Sequence, residues 1–227
     1  MKIIIVMEVN SLYFEYGDTE IDFLKRKDKK MAKAIDKIGQ IHRLCDEDLF
    51  SSVVHHIIGQ QISTAAQTTI WNRMKADLNE ITPRTICNQD ICILQKYGMT
   101  YKKAEYIMDF AVKINNGDFD LYALNSMTDE EVKQELSALK GIGIWTAEMI
   151  MLFCLKRNNV FSFGDLAIHR GLRMLYRHKT IDRQRFEKYR KRFSPYGSVA
   201  SLYLWSIAGG AMKELNDPAP KIKKKKM

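Results

Sequence analysis

LKGIGIWTAEMIM, residues 139–151, sets Gly141 and Gly143 directly before a long apolar run. Glycine brings no side chain, so these two residues serve the backbone: they permit a tight reversal and let another molecule approach the main chain closely. The run from Ile144 to Leu155 is apolar on nearly every face, which predicts a buried helix. A helix that starts at such a turn presents unpaired N–H groups and a positive dipole end, and together they make an anion site. A nucleic-acid phosphate fits it. A plain connection between two helices fits these residues equally well. A dinucleotide-binding loop does not, because no strand precedes Gly141 and no third glycine follows.

Outward from this hairpin the pattern stays helical. MTDEEVKQELSAL (127–139) opens with a capping box, Thr128 to Glu131, and continues with Val132, Leu136 and Leu139 on one stripe. In DLFSSVVHHIIGQQIS (48–63), Leu49, Val53, Val54, Ile57 and Ile58 form another stripe that breaks at Gly59. Prolines stand only at 83, 195, 218 and 220, and Ser194-Pro195-Tyr196-Gly197 is a turn ahead of the last helix, SVASLYLWSIAGGAM. Alternating apolar residues are confined to the first sixteen positions, which read as a short strand or extension. The expected fold is all-α, with roughly ten helices of ordinary length.

Composition narrows the function classes. Of 227 residues, 46% are hydrophobic and 28% charged, which is ordinary for a globular protein with a full core. No apolar run has membrane-spanning length, and Glu8 follows the apolar start with no small-residue cleavage site, so a cytoplasmic protein is expected. The cysteines, at 45, 87, 92 and 154, contain no CxxC and suit neither zinc nor a cysteine-ligated iron–sulfur cluster; reduced, mostly buried thiols are expected. Net charge is +9, and removing the five lysines of the tail KIKKKKM leaves +4 on residues 1–220. A mildly basic body with a basic tail suits a polyanionic partner without proving one.

VFSFGDLAIHRGLRMLY (160–176) is the second constellation. Gly164 turns the chain, Asp165 stands at a helix start, and Ile168, Leu172 and Leu175 supply the buried stripe. An aspartate here is an N-cap by the simplest reading, worth ~0.5–2 kcal/mol. The cap and a chemical role are compatible. The amides and the helix dipole hold a negative charge there, suited to stabilising a developing cation or orienting a water.

The hairpin followed about twenty residues later by Gly-Asp resembles the helix-hairpin-helix superfamily of DNA glycosylases. IIGQQIS (57–63) resembles its duplex-plugging loop, YGMTYKKAEYI (97–107) a turn-helix segment of its alkylpurine branch, and SVASLYLW (198–205) that branch's C-terminal helix. The likeness runs from about residue 40 to 212 and is nearest the 3-methyladenine DNA glycosylase II type. It implies two helical lobes with an active-site cleft between them, one at 47–157 and the other built from 1–46 and 158–227. It implies damaged double-stranded DNA as partner, a monomer, and excision of flipped-out alkylated purines to leave an abasic site. Asp165 matches the catalytic aspartate, and Gly141, Gly143 and Thr146 match amides that hold phosphate. A monovalent cation, Na+ or K+, would rest on the carbonyls of Ser137, Leu139 and Ile142; no other cofactor is implied. Strand-nicking members carry a lysine where this chain has Trp145, so no Schiff base is expected. Many relatives place a proline in the loop where this chain has Ser162 and Phe163.

Gln60 and Gln61 match the DNA wedge, Gln61 at the intercalating position, although paired glutamines also simply end a helix. Trp145 and Trp205 are the base-pocket residues, since aromatic faces attract a cationic base; Trp205 also reads as core, and Trp71 is left as core. His169 and Arg170, and likewise Tyr101, Lys102 and Lys103, contact DNA or stand on a solvated face. The rivals are a glycosylase for oxidised, deaminated or mismatched bases, a non-catalytic hairpin module, and a helical scaffold with no salt-dependent DNA affinity.

Overall fold

A computed structural model describes residues 12–46 and 48–220. The start of the chain, expected as a short strand or extension, and the basic tail lie largely outside these residues. The helices are α1 (Asp18–Lys27), α2 (Lys29–Ile38), α3 (Leu49–Gly59), α4 (Thr64–Leu78), α5 (Pro83–Cys87), α6 (Ile91–Lys96), α7 (Tyr101–Asn115), α8 (Asp129–Ala138), α9 (Ile144–Phe153), α10 (Leu166–Tyr176), α11 (Arg183–Phe193) and α12 (Gly197–Ala208). A single 3-10 turn, Ala123–Asn125, precedes α8. The only β pairing among the described residues is an isolated antiparallel bridge between Tyr13 and Leu44. The fold is all-α as expected, and the surplus over ten helices is the short pair α5 and α6.

Side-chain caps set most helix starts. Asp28, Asp48, Ser63, Thr82, Thr100, Thr128, Asp165 and Asp182 each accept a backbone N–H from the first turn that follows. These bonds satisfy donors that no helical carbonyl reaches. The capping box between Thr128 and Glu131 forms as read from the sequence.

The helices pack in two sets. In one, α10 lies along α12, α2 rests on both, and α11 joins α12 to α1. In the other, α3 packs on α4, α7 and α9, α5 and α6 cover α7, and α8 lies on α9. The α10–α12 contact reaches backbone distance at Gly171, where a Cβ would stand 2.4 Å from the Leu204 carbonyl oxygen. Glycine there allows the two helices to close, and this closure carries Trp205 toward the start of α10. Among the described residues no helix is long and apolar enough to cross a membrane.

Candidate active site

The hairpin forms as a tight link from α8 to α9. Gly141 takes a φ of +82° and presses on Tyr106 of α7, where an added Cβ would fall 2.2 Å from the ring. Both the backbone angle and the contact demand glycine. The first helical bond of α9 runs from the Ala147 N–H to the Gly143 carbonyl at 2.9 Å. The amides from Gly143 through Thr146 therefore precede the ladder. Gly143, Ile144 and Trp145 are exposed, so this amide-rich end faces outward, whereas the Thr146 side chain is buried. The body of α9, Thr146 to Leu152, is buried throughout, as its all-round apolar pattern predicts.

Asp165 caps α10. Its Oδ1 accepts the N–H groups of Ala167 at 2.9 Å and Ile168 at 2.8 Å. Two indoles converge on the same carboxylate from other helices. Trp205 of α12 donates Nε1–H to Oδ1, and Trp145 of α9 donates Nε1–H to Oδ2, each at 3.1 Å. Oδ1 thus holds three donors and Oδ2 one. The residue is 6% exposed, yet it lies under a rim of exposed Gly164, Leu166 and Trp145. A Cβ on Gly164 would stand 3.4 Å from the Trp145 Cβ, so the loop before α10 rests directly on the first turn of α9. The carboxylate and the hairpin amides therefore share one neighbourhood.

Trp205 is not simply core: its ring stacks on Phe153 at 5.6 Å between centroids, and the Arg43 guanidinium lies over Phe153 at 4.6 Å. Phe153, the last residue of α9, escaped the sequence reading because it ends an apolar run like any core residue. His169 donates Nε2–H to the Phe163 carbonyl at 2.8 Å and stacks on Phe186, tying the loop before Asp165 to α11. Burial pushes the His169 imidazole below its ordinary pKa, which favours the neutral ring. Arg170 stays exposed, 3.9 Å from Asp217. Trp71 is half-buried beside His55. Two cavities, of about 320 and 830 Å³, lie elsewhere: the first beside Trp71 and Lys75, the second between the start of α3 and the end of α7. Neither is lined by Asp165.

The wedge candidates part company. Gln60 donates Nε2–H to the Gly141 carbonyl at 2.6 Å, so in this structure its carboxamide is engaged within the protein. Gln61 is exposed at the turn, with a φ of +56°. Lys103 is half-buried, and its ammonium bonds the carbonyls of Ile58 at 2.8 Å and Gln60 at 2.6 Å, so two of its three donors are engaged within the protein. The carbonyls of Ser137, Leu139 and Ile142 are neutral oxygen donors of the kind a hard cation takes. The Leu139 carbonyl accepts the Ile142 N–H at 3.1 Å and keeps its second lone pair, and the nearby Ser137 hydroxyl is buried without a partner. The donor set fits a cation.

Helices in this order, a glycine hairpin and a carboxylate-capped helix following it define a helix-hairpin-helix protein. Residues 54–195 match the HhH-GPD superfamily of base excision DNA repair proteins, and the chain belongs to that superfamily. It is similar to DNA-3-methyladenine glycosylase 1 of Schizosaccharomyces pombe, with 26% identity over 185 residues, covering 79% of this chain and 81% of the relative. The crystal structure of a DNA-3-methyladenine glycosidase from Bacillus halodurans superposes with a TM-score of 0.80 at 31% identity, over 89% of this chain and 94% of that one. The Schizosaccharomyces pombe 3-methyladenine DNA glycosylase in complex with abasic DNA gives a TM-score of 0.75 at 25% identity, over 84% of this chain and 97% of that one.

Proposed function

We propose that this protein is a monofunctional DNA glycosylase that excises alkylated purines of the 3-methyladenine type from duplex DNA. The observation that carries the reading is the convergence of Trp145 and Trp205 on the Asp165 carboxylate, beside the amide-bearing start of α9. The names of the similar proteins agree with it.

The lobes at 47–157 and at 1–46 with 158–227 would grip DNA between them, a division that follows the two sets of packed helices. A base within a duplex is out of reach, so the nucleotide leaves the stack and Gln61 fills the gap. The hairpin amides near Gly141, Gly143 and Thr146 hold a backbone phosphate. A monovalent cation on the carbonyls of Ser137, Leu139 and Ile142 would add positive charge at that grip. The alkylated purine carries a positive charge, which the aromatic faces of Trp205 and Trp145 attract. The C1′–N bond then breaks, and its electron pair leaves with the purine and neutralises that charge. The sugar becomes cationic and the Asp165 carboxylate stabilises it. Water adds at C1′, loses a proton, and leaves an abasic site. Position 145 bears an indole whose N–H meets Asp165, and an indole cannot form a Schiff base, so the strand stays intact.

The test is base release from methylated duplex DNA, followed by strand analysis without alkali. Release with an intact strand is the expected result. A panel of oxidised, deaminated and mismatched duplexes separates the base classes, and preference for a neutral lesion overturns the alkylpurine assignment.

A further inference from the structure

One face of α7 carries both DNA-contacting turns of the glycosylase reading. Lys103, Tyr106 and Asp109 recur at three-residue spacing along that face. Lys103 sends Nζ to the carbonyls of Ile58 at 2.8 Å and Gln60 at 2.6 Å, at the end of α3. Tyr106 supports Gly141 of the hairpin, and Asp109 receives Lys140 Nζ at 2.6 Å from the same hairpin. Gln60 closes the circuit by bonding the Gly141 carbonyl. The turn after α3 is therefore anchored to α7 by an ammonium and to the hairpin by a carboxamide.

The chemistry at Lys103 is that of a helix stop. The last carbonyls of a helix have no helical N–H to accept, and the helix end is negative. An ammonium answers both needs with charge-assisted bonds. No carboxylate pairs with Lys103 among the described residues, so the two carbonyls are its partners. The next residue, Gln61, holds a left-handed backbone that a free chain rarely adopts. Something must hold it there, and the clamp on the carbonyls either side of Gly59 does so.

We infer that Lys103 is a positioning residue for the wedge: it fixes the turn at 58–61 relative to the hairpin, so that displacing a paired nucleotide depends on a residue that touches neither base nor sugar. The inference rests on the glycosylase reading and adds a separate requirement to it. A nucleotide already unpaired needs no wedge, so its release does not need the clamp. A phosphate contact by Lys103 would act differently, through salt-dependent affinity.

The experiment measures single-turnover base release by the full chain from one methylated purine in two duplexes, one with the lesion paired and one with it in an unpaired bulge. Lys103→Met is expected to slow release from the paired lesion by about tenfold or more, and from the bulge by less than about threefold, as loss of charge-assisted bonds used only in displacement would do. Lys103→Arg keeps charge and donors and restores most of the paired rate. The slope of log affinity against log salt stays unchanged. Equal losses on both substrates in a protein that melts normally, or a salt slope smaller by about one, overturn the inference. Where Lys103→Met does not fold, Lys103→Gln retains a donor for one carbonyl and carries the same comparison. Failure of the unmodified protein to release either base sinks the glycosylase reading instead.

Discussion

Trp205 and Asp165, 40 positions apart in the chain, meet across the α10–α12 contact at 3.1 Å, indole N–H to carboxylate oxygen. The same ring stacks on Phe153, so it joins the charged and aromatic parts of the site. Trp205→Phe keeps the stack and removes the donor. Base release should slow by about tenfold or more, since hydrogen bonds to charged groups contribute ~1.5–3 kcal/mol. Steady-state rates with unchanged thermal melting check this; an unaltered rate removes the bond from the chemistry.

Asp165→Asn separates the cap from the charge. Asparagine caps a helix about as well as aspartate, so stability should hold within about 1 kcal/mol. Base release should fall by at least ~10²-fold, the scale of losing one strong electrostatic stabiliser, while duplex affinity persists. Parallel melting, binding and release assays decide it, and full activity in the variant eliminates Asp165.

Borohydride offers an independent check at position 145. With an indole there, reduction during turnover should trap no covalent protein–DNA adduct. A robust adduct on a denaturing gel would contradict the monofunctional reading.

Gly171→Ala tests how closely α10 and α12 must lie. The new methyl would meet the Leu204 carbonyl oxygen at 2.4 Å, a backbone atom that cannot rotate away. Overpacking of this kind costs ~1–3 kcal/mol, or a melting temperature lower by roughly 2–4 °C for each kcal/mol in a chain of this size. Release should fall as well, because the separation that relieves the clash also draws Trp205 from Asp165.

Acid should destabilise the fold through its histidines. Burial lowers the pKa of His55, His169 and His178 below the ordinary 6.5. The unfolded chain then binds more protons than the native one, so their contribution is full above pH 6.5 and is lost as pH falls through the folded values. Melting temperature followed from pH 8 to pH 5 should drop below about 6.5. His169→Gln, which keeps a donor for the Phe163 carbonyl, should lessen that drop.

Periodicity and caps made much of the fold readable in advance. The stripes at Leu49–Ile58, Val132–Leu139 and Ile168–Leu175, and the box at Thr128, each belong to a single helix and its caps, where spacing alone reports burial. The short helices α5 and α6 were harder, because five or six residues hold too few turns to show a period. Asp165, Trp145 and Trp205 were singled out through the resemblance, and their meeting in space depends on long-range packing that no local pattern encodes. The partners of Gln60 and Lys103 are hidden for the same reason. A polar side chain at a turn looks solvated in sequence, and the carbonyls it finds, 81 and 45 positions away, are invisible there.

The unequal load on the two oxygens of Asp165 has a geometric outcome. Three donors on Oδ1 stop the carboxylate from swivelling about its Cβ–Cγ axis, so the direction in which Oδ2 points belongs to the scaffold. An incoming sugar cannot turn that oxygen to suit itself. It must arrive already aligned with the lone pair that Oδ2 keeps beside the Trp145 indole, and a nucleotide that enters askew meets the fully bonded Oδ1 instead.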